Sequence, residues 1–158
     1  MPDQQLSTTA SYDARAASST IELKIGLVVI ESYTYSKSTN SVMMSHRPSE
    51  ISLTPNEFRN FVIALRVWLA KTIGTFGPAS SRSSDYGARL DFDPSAGEVT
   101  VGFAIEGMNV SIYYEQQSNV IRWPSRSEGD LKWSDFLRFA DSLQSLVAIL
   151  EREYPAAF

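Results

Sequence analysis

Ile51-Ser52-Leu53-Thr54-Pro55-Asn56-Glu57-Phe58 compresses a strand end, a helix cap and a helix start into eight residues. Thr54 suits an N-cap, Pro55 the first helical position and Glu57 the third, so that side chains satisfy amide donors which the first turn leaves unpaired. Laid without gaps on Asp130 to Phe136, the stretch matches Leu53 with Leu131, Glu57 with Asp135 and Phe58 with Phe136. Further along, Phe61 meets Phe139 and Leu65 meets Leu143. The chain reads as a duplication in which strands are followed by one amphipathic helix, twice.

The first helix is expected to run from Pro55 to about Ile73 and to end at Gly74, with Phe58, Phe61, Val62, Leu65, Trp68 and Leu69 on its core stripe. The second is expected from Ser134 to Glu153, with Phe136, Leu137, Phe139, Ala140, Leu143, Leu146, Val147 and Leu150 as its apolar face. Before the first helix, alternation from Ile21 to Ile30 predicts one long strand carried on to Tyr35. Ser36 to Ser41 reads as a loop, Val42 to Arg47 as a strand and Glu50 to Leu53 as a further short one. In the second half, four strands are expected at 88–92, 98–106, 109–116 and 119–123, with turns short enough to demand antiparallel pairing.

The expected fold class is therefore α+β, with two antiparallel sheets each followed by an amphipathic helix and one shared core. Residues 1–20, rich in Ser, Thr, Ala and Gln, are expected to form a disordered arm. The first unit then spans 21–74, a flexible linker 75–87, the second unit 88–153 and a C-terminal tail 154–158.

The 158 residues carry no cysteine, which excludes disulfides, thiolate metal sites and a cysteine nucleophile. The net charge of −4 opposes general attraction of nucleic acid. The apolar run Ile25 to Ile30 is too short to span a bilayer, and an intracellular protein, cytoplasmic or nucleoid-associated, without membrane contact is expected. His46 is the sole histidine, and no phosphate loop, nucleophile elbow or zinc-protease motif occurs, so neither an enzyme nor a metal or cofactor is expected. Asp91 and Asp93 share a strand face but, beside Pro94 and Gly97, read as turn residues.

The Ile-Ser-Leu, cap, Pro, acid, aromatic order at 51–58 resembles the strand-to-helix junction of the PC4 transcriptional coactivators, and the doubled plan is similar to the Whirly proteins. That resemblance implies single-stranded DNA or RNA as ligand, a role in replication or transcription, and a homo-dimer or homo-tetramer built through helix or sheet faces. Candidate contacts are Lys24, Lys37, Arg47, Arg89 and Arg122 for phosphates, and Tyr35 and Tyr113 for base stacking. The same residues also fit an ordinary strand surface, cross-paired with Glu22, Glu98, Glu106 and Glu115. The alternative function is then a structural or protein-interaction module, such as an assembly or accessory protein. The tail ending in Phe158 loosely resembles the partner-recruiting tips of single-strand binding proteins, which implies docking to a polymerase or replication partner.

Overall fold

The computed structural model describes residues 6–46, 50–79, 87–105, 108–125 and 128–158. Among the described residues, ten strands and two long helices build two five-stranded antiparallel sheets around a common core, an α+β fold. The strands are β1 (Leu6–Asp13), β2 (Ser18–Ile25), β3 (Val28–Ser36), β4 (Ser41–His46) and β5 (Ile51–Leu53), followed by α1 (Pro55–Phe76). The second set is β6 (Gly87–Asp93), β7 (Glu98–Ile105), β8 (Met108–Glu115), β9 (Val120–Trp123) and β10 (Gly129–Lys132), followed by α2 (Trp133–Glu153).

Each half lends its fifth strand to the other. The first sheet runs β1-β2-β3-β4-β10 and the second β5-β9-β8-β7-β6. Thus Leu53 lies opposite Ile121 and Leu131 opposite Val42, and both leucines are buried. Strand exchange of this kind makes the two halves inseparable, because neither sheet is complete without a strand from the other half.

The duplication extends to single hydrogen bonds. Asp13 Oδ1 accepts the amides of Arg15 and Ala16 at 3.0 and 3.1 Å, and Asp93 Oδ1 those of Ser95 and Ala96 at 3.1 and 3.3 Å. Both are Asx turns that fold the first hairpin of each half. Tyr35 donates its hydroxyl to Asn40 Oδ1 at 3.4 Å, as Tyr114 does to Asn119 at 2.9 Å. Both asparagines take positive φ, 49° and 51°, a conformation Asn tolerates. The two asparagine amides then reach chain beyond the helix ends, donating to the carbonyls of Ala79 and Ala157.

The helices repeat their buried stripe: Phe58, Phe61, Val62, Leu65 and Leu69 in α1 answer Phe136, Phe139, Ala140, Leu143 and Val147 in α2. Around them Tyr33 packs edge-on to Phe136 and Phe139, with ring centroids 5.1 and 5.8 Å apart. Thr54 and Glu57 form the expected capping box, at 3.1 and 2.9 Å. α1 passes through Gly74 and stops at Gly77, whose φ of 56° lets its amide close on the Ile73 carbonyl at 2.9 Å.

Three expectations are corrected. The supposed disordered arm contributes β1, paired residue for residue with β2 from Leu6↔Ile25 to Asp13↔Ser18, with Leu6 and Tyr12 packed on the core. Backbone pairing and two apolar anchors offset an ordering cost that composition alone made look prohibitive. The long strand from Ile21 is broken at Gly26-Leu27, a two-residue turn with Gly26 at φ 61°. Alternation continues across so tight a turn, which hides the reversal. Finally, the second half has a strand beyond the four expected, Gly129–Lys132, which precedes the second helix and pairs with β4. Most of the expected linker, residues 80–86, lies outside the described residues. No helix among the described residues is long and apolar enough to cross a membrane.

Candidate recognition surface

Strand alternation sends one side of each sheet toward the helices and leaves the other side uncovered among the described residues. On the second sheet, a cross-strand row runs Ser52, Arg122, Tyr113, Thr100 and Asp91 over its five strands. The neighbouring row runs Val120, Glu115, Glu98 and Asp93. Tyr113 is half-buried there, with Thr100 and Arg122 as its cross-strand neighbours, while Tyr114 points inward at 1% exposure.

Arg122 is held from two sides. Its Nε donates to Glu115 Oε2 at 3.1 Å and its Nη1 to Glu50 Oε1 at 3.2 Å. The guanidinium hydrogen bond, joined by one from Ser118 Oγ at 3.0 Å, holds the Glu115 carboxyl below the usual range. Reciprocally, Glu115 and then Glu50 raise the Arg122 pKa. Arg89 turns back on its own strand, Nε to Asp91 Oδ2 at 3.0 Å. On this face Asp91, Asp93, Glu98, Glu115 and neighbouring Glu50 surround only Arg89 and Arg122 among the described residues, so the sheet is fringed with carboxylate.

The uncovered side of the first sheet has a different chemistry. Its rows read Thr9, Glu22, Ser32, Ser45 and then Ser11, Thr20, Thr34, Met43, Asp130. A third row is Asp13, Ser18, Ser36, Ser41, Lys132. Short hydroxyls, each both donor and acceptor, dominate it, and Thr20 and Thr34 bond to one another at 3.1 Å. Lys24 lies on this side, opposite Ser7 and Val29.

The expected contact residues therefore do not assemble. Lys24 and the group Arg89, Tyr113 and Arg122 occupy different sheets. Lys37 is exposed in the β3–β4 turn, and Arg47 lies outside the described residues. Tyr35 is a core residue, 1% exposed, packed on Phe76 and Trp133 at 5.9 and 5.1 Å; its ring offers no face to a base. Burial raises its pKa. Phe158, expected as a free docking tip, folds back with the Arg59 guanidinium 4.4 Å from its ring centroid.

His46 and Glu31 meet inside the core, Nδ1 to Oε2 at 2.5 Å, both side chains fully buried. Glu50 was not foreseen as a partner of Arg122, because its contact arises from β5 crossing into the other half's sheet. Among the described residues no cluster of His, Asp or Glu suits a metal ion. Comparison with protein-family models, curated proteins and solved structures yields no match.

Proposed function

We propose that the chain is a non-catalytic protein-interaction module, presenting two pleated surfaces on a doubled scaffold. The observation that carries this reading is the closure of Arg122 between Glu115 and Glu50. A phosphate approaching it must displace two carboxylates and pass the remaining acids of that face, which opposes the counterion exchange on which nucleic-acid affinity rests. The hydroxyl-lined face of the first sheet suits a protein partner better, since its groups hydrogen-bond in either sense without demanding a fixed charge. Burial of the sole histidine against Glu31 supports the non-catalytic part of the reading.

A second reading, single-stranded nucleic-acid binding as the PC4 and Whirly resemblance implies, draws on one specific feature: the half-buried Tyr113 ring beside Arg122 on an uncovered sheet. Fluorescence anisotropy with a labelled oligonucleotide of about 30 nucleotides at low salt separates the two. The interaction-module reading expects no binding at micromolar protein. Saturable binding that weakens with salt, and falls in Tyr113→Ala and Arg122→Ala, would replace it with the second.

A further inference from the structure

The duplication supplies an internal control, because every exposed feature of one half can be compared with its counterpart in the other. Among the described residues, two strands form long sheet edges: β1 in the first half and β6 in the second. The remaining edges, β5 and β10, are only three and four residues long. β6 carries Arg89 and Asp91, charges of the kind that keep an edge from pairing with another chain. At the equivalent places β1 has Thr9 and Ser11, and from Leu6 to Tyr12 it holds no charge and no proline. No other described strand covers its free side.

The helix beside each edge differs in the same sense. α2 turns Asp141, Ser145 and Arg152 outward; α1 has Ile63, Val67 and Gly74 at the matching positions. Ile63 and Val67 are 54% and 64% exposed. α1 also lies along β1. At its start Glu57, Asn60 and Ala64 border a groove with Leu6 and Ser7, and near its end Lys71 Nζ sits 4.3 Å from the Tyr12 ring centroid. An acid thus marks one end of the edge and a base the other.

We propose that the β1 edge and the exposed ridge of α1 form one self-complementary interface with a second copy of this chain, β1 pairing antiparallel with its mate around Thr9. An axis at Thr9 sets Leu6 opposite Tyr12 of the second copy, which brings each Glu57 to the other copy's Lys71, twice over. The spans agree: Glu57 to Lys71 covers about 21 Å of helix and Leu6 to Tyr12 about 20 Å of strand. Because α1 contacts both β1 and β2, the two helices would stand about two strand spacings apart, roughly 10 Å. That is helix-packing distance, and it turns Asn60 and Ala64, with Val67 at their margin, toward their mates. The result is a continuous ten-stranded sheet, whereas the charged β6 side stays open.

The chain has no cysteine, so a single introduced thiol tests the register. Directly opposed residues of an antiparallel pair have Cα atoms about 4.5 to 5.5 Å apart, within disulfide reach. Under mild oxidation Thr9→Cys is expected to cross-link about tenfold faster than Arg89→Cys on the equivalent edge, reflecting the raised local concentration. Light scattering should give twice the 17.6 kDa chain mass. Thr9→Arg with Val67→Ser, which copies the polar choices of the second half, should return the monomer mass with an unchanged far-UV spectrum, and Lys71→Glu should weaken the dimer. A monomer at every concentration overturns the proposal, as does a dimer in which Arg89→Cys cross-links as fast as Thr9→Cys. Oligonucleotide binding plays no part in these outcomes, so they stand or fall apart from the functional reading above.

Discussion

Single residues record where the two copies have diverged. The second half fills its core with Val99, Val110 and Leu150; the first has Ser19, Glu31 and Thr72 at these places. Ser19 and Thr72 satisfy each other across β2 and α1, with hydroxyls 2.8 Å apart. Thr72→Val should therefore cost about 1–3 kcal/mol, because it strands the Ser19 hydroxyl, while adding Ser19→Val should restore most of that loss. Urea unfolding of the two variants checks this, and equal stability of the single and double variants would contradict it. Glu115 gives a pH prediction. Its folded-state pKa is lowered, so its contribution to stability is present above the ordinary carboxylate pKa and is lost as pH falls through the folded value. Glu115→Gln should consequently narrow the stability difference between neutral and acidic pH, measured as urea midpoints across that range.

At the scale of elements, the helix ends can be tested one group at a time. Thr54→Ala removes the acceptor for the Glu57 amide and should cost about 1 kcal/mol. Gly77→Ala meets no atom within 4 Å but must hold φ at 56°, so a similar loss of about 1 kcal/mol is expected from backbone strain alone. Thermal midpoints follow both. The Thr54 cap, the two helices and four of the five second-half strands were legible in the sequence because they depend on neighbours a few residues apart, whereas the helix end fell at Gly77 and not at the expected Gly74. What escaped depended on distant partners. β1 has only Leu6 and Tyr12 to announce it, and its order comes from β2 and α1. β5 and β10 find their partners about 70 and 90 residues away, at Ile121 and Val42, a separation that no local pattern encodes. The candidate site failed for the same reason. Alternation placed Tyr113 outside correctly, but the neutralisation of Arg122 required knowing that Glu50 arrives beside it; Tyr35, by contrast, shares the inward parity of Ile21 and Leu23, so alternation alone already set it in the core.

For the molecule as a whole, the exchanged strands are decisive. Removing either half takes a strand from the sheet of the other and strips α1 from α2, whose aromatic side chains share one cluster through Trp68 and Phe136. The most direct measurement is equilibrium urea unfolding of the full chain, followed by tryptophan fluorescence and far-UV circular dichroism together. The tryptophans Trp68 and Trp123 lie within the shared core, 1% and 0% exposed. One transition with coincident midpoints is expected from two copies welded by strand exchange. Two separated transitions, one for each set of strands and its helix, would show that the halves stand independently and would contradict it.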